Sequence, residues 1–226
     1  MPGDPGIRAI LFDVDGTLLT TGGAGAAAWS KAFVELYGTP VDIEAVTESG
    51  MPDSDVASTA FASVVRRKPK PAEIEKLTDL YLENLPAAVA ESEHYRLAPG
   101  VTPLLERLSE AGLLLGLTTG NIEPAARIKL DRGDLNRFFT FGGFGSDSNL
   151  RSGLTRKALE RGIEQSGGRL SAGDFVSIGD TPRDVEAGHA TGIRVIGVAT
   201  GHFPVGELRR AGADWAIETV EHGFPV

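Results

Sequence analysis

With 226 residues, 41% of them hydrophobic, the chain is long enough for one α/β domain or for a core carrying a small inserted domain. Its 22 Lys and Arg against 31 Asp and Glu leave a net charge of −9, and the most basic stretch is the short RRKPK run at 66–70, which argues against nucleic acid or an anionic membrane as main partner. There is no cysteine, hence no disulfide or thiolate chemistry. The first ten residues lack a leader pattern and no long apolar span occurs, so a soluble cytoplasmic protein is the expectation.

In chain order, the first element is an apolar run at 7–13, read as a strand buried on both faces. From 20 to 98 no convincing strand follows. Three segments there, 25–38, 55–67 and 71–91, read as amphipathic helices, with Trp29, Phe33 and Leu36 near helical spacing on the first. Further strands are expected at 113–119, 138–142, 175–180 and 195–200. Helical patterns at 99–112, 121–134, 154–168 and 183–192 separate them, each closing at or near a glycine. This rhythm predicts an α/β fold: a doubly wound, mostly parallel sheet with both faces covered. The expected organisation is a core formed by 1–19 and 99–226, with a helical cap inserted at 20–98.

The strand ends carry the polar residues. Asp13 and Asp15 end the first, Thr118–Asn121 (TTGN) the second, and GDTPRD, residues 179–184, a later one. In an open parallel sheet, ligands bind beyond the carboxyl ends of the strands. Four carboxylates gathered there, Asp13, Asp15, Asp180 and Asp184, cannot all ionise without a cation. Oxygen ligands without His or Cys point to a hard ion such as Mg²⁺. His94, His189, His202 and His222 have no metal or triad spacing and read as surface or loop residues.

The motifs DVDGT, LTTGN and GDTPRDVEAG together resemble the haloacid dehalogenase superfamily, in its phosphoglycolate-phosphatase-like branch with a helical cap between the first two motifs. The resemblance covers nearly the whole chain. It implies a phosphatase for small phosphomonoesters, phosphoglycolate or sugar phosphates, working through an aspartyl-phosphate. Asp13 would be the nucleophile and Asp15 the general acid, then base. Alternate residues leaving a strand can face one pocket, and Gly16 lets the backbone turn after the second carboxylate. Thr17 would orient the acid–base group. Thr119, with the backbone of Gly120 and with Asn121, would bind the phosphoryl group. Mg²⁺ would be held by Asp13, Asp180 and the backbone carbonyl of Asp15, with Asp184 assisting.

A carboxylate approaching a phosphate dianion needs positive charge beyond one Mg²⁺. The superfamily often supplies a Lys-Pro after the third strand, and this chain departs from that pattern. Arg151 falls in the corresponding stretch, Lys157 on the following helix is the next candidate and Lys129 the third. A phosphomutase is the alternative reading. A dehalogenase ranks lower because Asp15, Asp180 and Asp184 are all kept, and so does a non-catalytic binding protein. Glycines at 20–26 and the return link at 96–99 read as hinges, and the turn at 49–55 as either a plain loop or a substrate-reading one. The expected partner is a small organophosphate, and the expected assembly a monomer or small homo-oligomer.

Overall fold

The structure, a computed structural model, describes residues 6–225; residues 1–5, which open the stretch read as leaderless, and Val226 lie outside it. Its centre is β1 (Ala9–Phe12), whose AILF is buried along its whole length. The other strands of this sheet are β4 (Leu114–Thr118), β5 (Gly142–Gly143), β6 (Phe175–Gly179), β7 (Arg194–Val198) and β8 (Trp215–Ile217). They join in the order β5-β4-β1-β6-β7-β8, every pair parallel. The chain builds outward from β1 to β4 and β5, then returns to the other side of β1 for β6 onward. That reversal opens a crevice at the carboxyl end of β1, the place where doubly wound sheets bind ligands.

The crossovers are α5 (Val101–Glu110), α6 (Glu123–Asp131), α7 (Arg151–Gln165), α8 (Pro182–Ala190) and α9 (Val205–Arg210). One apolar cluster covers one face of the sheet with Leu104, Leu105, Leu130 and Phe139, and another gathers Leu11, Phe141, Ala158 and Phe175. No helix among the described residues is long and apolar enough to cross a membrane.

Between β1 and β4 lies the helical segment: α1 (Ala24–Tyr37), α2 (Ile43–Val46), α3 (Asp53–Val65) and α4 (Pro71–Glu91). Trp29, Phe33, Phe61, Leu77, Tyr81 and Leu85 fill a core of its own, which also takes in Ala125 of α6. The expectation of no strand in this segment is corrected at its two ends. Leu19–Thr20 (β2) and Arg96–Leu97 (β3) pair antiparallel, so entry and exit run side by side. Two residues per strand give no hydrophobic period to read.

The strand expected at 138–142 is also corrected. Asn136–Phe138 form a 3₁₀ turn, and only Gly142–Gly143 join the ladder. Phe139 and Phe141 are buried, each in a different apolar cluster, which makes the run look strand-like. At Gly143 a Cβ would overlap the Leu154 carbonyl oxygen, far inside contact distance, so α7 can lie this close only against glycine. Gly143→Ala is expected to destabilise the fold by about 1–3 kcal/mol, read as a lower denaturation midpoint at unchanged slope.

Candidate functional site

Three strand ends meet at one cavity of about 490 Å³. Asp13 continues β1, its N–H donating to the Ile178 carbonyl at 2.9 Å. Gly16, at φ 84°, then turns the chain back, and its N–H donates to the Leu19 carbonyl at 2.8 Å. A Cβ on Gly16 would collide with the Asp180 carboxylate, so the turn and the end of β6 are packed backbone against side chain.

On the β6 side, one oxygen each of Asp13, Asp180 and Asp184 lies within 4.8 Å of the others, and all three residues are buried. Arg151, the first residue of α7, faces them. It pairs with Asp13 at 2.6 Å and donates to Asp184 from Nε at 2.9 Å and from its terminal nitrogen. A cation at a helix N-terminus is disfavoured by the helix dipole, and the carboxylates offset this. Arg151 alone does not neutralise three acids. Burial pushes the Asp13 carboxyl up to about 7, Arg151 opposing and Asp184 adding to the rise. Burial followed by Asp13 and Asp184 pushes Asp180 up to about 8. Three buried oxygen donors with excess negative charge fit a hard divalent cation. Asp184 has a second duty: its other oxygen accepts from the Thr181 N–H at 3.0 Å and hydroxyl at 2.7 Å, capping α8.

On the β4 side stands Asp15, whose Oδ2 accepts from Asn121 at 2.6 Å and from the Lys129 ammonium at 2.8 Å. Lys129 also donates to Asn121 Oδ1 at 2.6 Å, and Asn121 to the Thr119 hydroxyl at 2.8 Å. The Asp15 carboxylate is thus turned away from the three-carboxylate group. Burial pulls the Lys129 ammonium down, but Asp15 and Asp53 outweigh it and the net shift is upward.

The helical segment closes the cavity from above. The Asp53 N–H donates to the Gly120 carbonyl at 2.9 Å, and its carboxylate accepts from the Ile122 N–H at 2.9 Å. Burial raises that carboxyl to about 6, against the pull of Lys129. A Cβ on Gly120 would sit 2.9 Å from the Met51 carbonyl oxygen, so this turn is shaped to receive the 49–55 loop. Trp29 and Tyr81, buried in the helical core, also line the cavity, as does the exposed loop residue His202.

Asp13, Asp15, Thr119, Gly120, Asn121, Arg151 and Asp180 are therefore brought to one cavity, with Asp184 beside Asp13. Two expectations are corrected. Thr17 does not bond Asp15: its hydroxyl donates to Asp180 at 3.3 Å, because the Gly16 turn carries it to the β6 side. Lys157 is exposed and pairs with Glu160 at 3.2 Å, on the solvent side of α7 rather than at the cavity. Lys129 was the third choice for a clamp and stands instead on Asp15. Its signal was present, because a lysine falls on the buried stripe of α6 with Ala125, Ala126 and Leu130. Asp53, at the start of α3, looks in sequence like an ordinary first-turn acid.

Residues 10–198 match the family described as haloacid dehalogenase-like hydrolase. A phosphoglycolate phosphatase from Pseudomonas fluorescens is 27% identical over 198 residues, covering 86% of this chain and 70% of that one. Among solved structures, a protein described as a predicted phosphoglycolate phosphatase from Haemophilus somnus superposes with a TM-score of 0.74 at 18% identity, covering 97% of each chain. CbbY from Rhodobacter sphaeroides, solved in complex with phosphate, gives 0.73 at 24% identity over 96% of each. The fold, the three strand-end motifs gathered at one crevice and the match over most of its length place the chain in the haloacid dehalogenase-like hydrolase family.

Proposed function

We propose that this chain is a Mg²⁺-dependent phosphatase for small phosphomonoesters, phosphoglycolate or sugar phosphates, acting through an aspartyl-phosphate on Asp13. The observation that carries the reading is the division of the cavity floor. A buried three-carboxylate group with Arg151 lies on one side, and a separate carboxylate, Asp15, is held by Lys129 and Asn121 on the other. One carboxylate can attack while the other moves a proton.

Asp13, Asp180 and the main-chain carbonyl of Asp15 would hold the cation, with Asp184 in support. When bound, Mg²⁺ offsets the carboxylate charge and polarises the phosphoryl group. In the first step an Asp13 oxygen bonds to phosphorus, the bond from phosphorus to the ester oxygen breaks, and protonated Asp15 gives its proton to the leaving alkoxide. In the second, Asp15 takes a proton from water as the water oxygen bonds to phosphorus. The bond to Asp13 then breaks and inorganic phosphate leaves. Arg151 would swing from Asp13 to the phosphoryl oxygens, with Thr119 and the Gly120 N–H as further donors.

The helical segment at 20–98 acts in this reading as a cap on the core formed by 1–19 and 99–226. The paired β2 and β3 are its two-stranded hinge, and the Asp53 contacts with Gly120 and Ile122 its closed position. A chamber of this size, covered by the cap, suits a small organophosphate.

The test is inorganic phosphate release from phosphoglycolate, sugar phosphates, nucleoside monophosphates and pyridoxal phosphate, with Mg²⁺ and with EDTA. Release with Mg²⁺ that EDTA abolishes is expected. Equal release in both overturns the metal dependence. Absence of release from every compound, with a folded protein, overturns the phosphatase reading, and conversion of sugar phosphates only with a bisphosphate present would establish the mutase.

A further inference from the structure

The upper wall of the chamber carries a stacked pair, Trp29 of α1 and Tyr81 of α4, with ring centroids 4.0 Å apart and planes 3° from parallel. Asp53 lines the same chamber as Trp29 and is bonded to the turn after β4. The stack thus shares the chamber with the turn that carries Thr119, Gly120 and Asn121. Tyr81 is 1% exposed, yet it lines the cavity.

Buried phenols nearly always find a hydrogen-bond partner. Among the described residues the Tyr81 hydroxyl has none. Among the described residues, the side-chain polar atoms that are fully enclosed and unpartnered are Asn136 Oδ1 and Ser177 Oγ, and the Tyr81 oxygen is not one of them. Its small accessible remainder therefore opens onto the chamber that the residue lines. Burial, then the charges of Asp53 and Asp15, hold the phenol well above its ordinary value, so it presents a proton rather than an oxyanion. A second donor faces the same chamber: Lys129 uses two of its three N–H groups on Asp15 and Asn121.

We infer that Tyr81 is a specificity-determining residue whose hydroxyl donates to an oxygen carried by the leaving group beyond the ester oxygen. The preferred substrate is then the phosphomonoester of an oxygenated alcohol, a hydroxy acid or a polyol, and not of a plain alkyl alcohol. An alkyl leaving group would leave the largely buried phenol unpaired, and such a loss discriminates more sharply than a missing methylene. The inference rests on the phosphatase reading above and adds to it the residue that reads the leaving group.

The test compares kcat/KM for phosphoglycolate, glycerol phosphate and ethyl phosphate in the wild type and in Tyr81→Phe, with the Tm of both proteins. The ring, its stack on Trp29 and the volume are kept in the variant. The wild type is expected to prefer at least one oxygenated ester over ethyl phosphate, and Tyr81→Phe to reduce that ratio about tenfold or more. The Tm is expected to stay within a degree or two, because the hydroxyl holds no protein group. A ratio the same in both proteins, or a wild-type preference for ethyl phosphate, overturns the inference and leaves the phosphatase reading intact. A marked fall in Tm makes the hydroxyl structural and also overturns it. A wild type that releases phosphate from none of the three overturns the phosphatase reading and this inference with it.

Discussion

Asp13→Asn is expected to lower kcat by about 10⁴-fold or more, since the amide keeps the size of the side chain but has no anionic oxygen to bond to phosphorus. The same variant should fold normally. Burial already pushes the Asp13 carboxyl up to about 7, so the neutral isostere relieves a disfavoured charge next to Asp180 and Asp184. A Tm at or above wild type with turnover lost is the expected pair of results, from a thermal melt and a phosphate-release assay on one preparation. Rapid acid quenching with radiolabelled substrate should trap phosphoprotein in the wild type and none in the variant. Turnover near the wild-type rate would rule out covalent catalysis at Asp13.

Arg151→Ala is expected to reduce kcat/KM by about 10²–10³-fold, roughly the 2.7–4 kcal/mol that one preorganised donor to a developing anion contributes. Lys157→Ala should stay within about twofold, because that side chain points to solvent and pairs with Glu160. Arg151→Lys should recover only part of the loss. An ammonium keeps the charge but cannot bond Asp13 and Asp184 in the forked geometry of a guanidinium. A larger loss at Lys157 would overturn the assignment of the clamp.

Removing Arg151 also has a consequence for stability. Asp13 and Asp180 have folded-state values above the ordinary 3.8, so the folded protein holds protons that the unfolded chain has released. Stability without added metal should therefore fall as pH rises from about 4 towards about 8. The fall should be steeper in Arg151→Ala, where nothing opposes the rise of Asp13. Chemical denaturation in EDTA across that range measures it, and a stability that climbed with pH would contradict the burial assigned to these carboxylates.

The long periodic elements were legible in the sequence. The runs around β1, β4, β6 and β7 are near-continuous apolar stretches bounded by glycine or polar turns, and strands buried on both faces require that pattern. The helical stretch between β1 and β4 showed itself by the spacing of Trp29, Phe33 and Leu36 and by the missing strands. Short elements with no longer apolar run around them did not. The pairing of Leu19–Thr20 with Arg96–Leu97, the short α2 and the edge strand β8 are too brief to express a period, and they form because partners are delivered by the rest of the fold.

The site divides along the same line. Asp13, Asp15, Thr119, Asp180 and Asp184 were legible because each belongs to a motif at the end of a strand, and the parallel sheet brings strand ends together. What the sequence by itself determined is this set and the sheet that gathers it. The tertiary structure alone decided how the set is partitioned. Lys129 comes to Asp15 from α6, Arg151 to Asp13 from α7, and Thr17 turns to Asp180 rather than to its near neighbour Asp15. It also decided that Asp53 and Tyr81, from the helices of the insert, face the same chamber. The reason is physical: a strand end fixes where a residue emerges, but which charge lies opposite depends on how helices from distant parts of the chain pack over it.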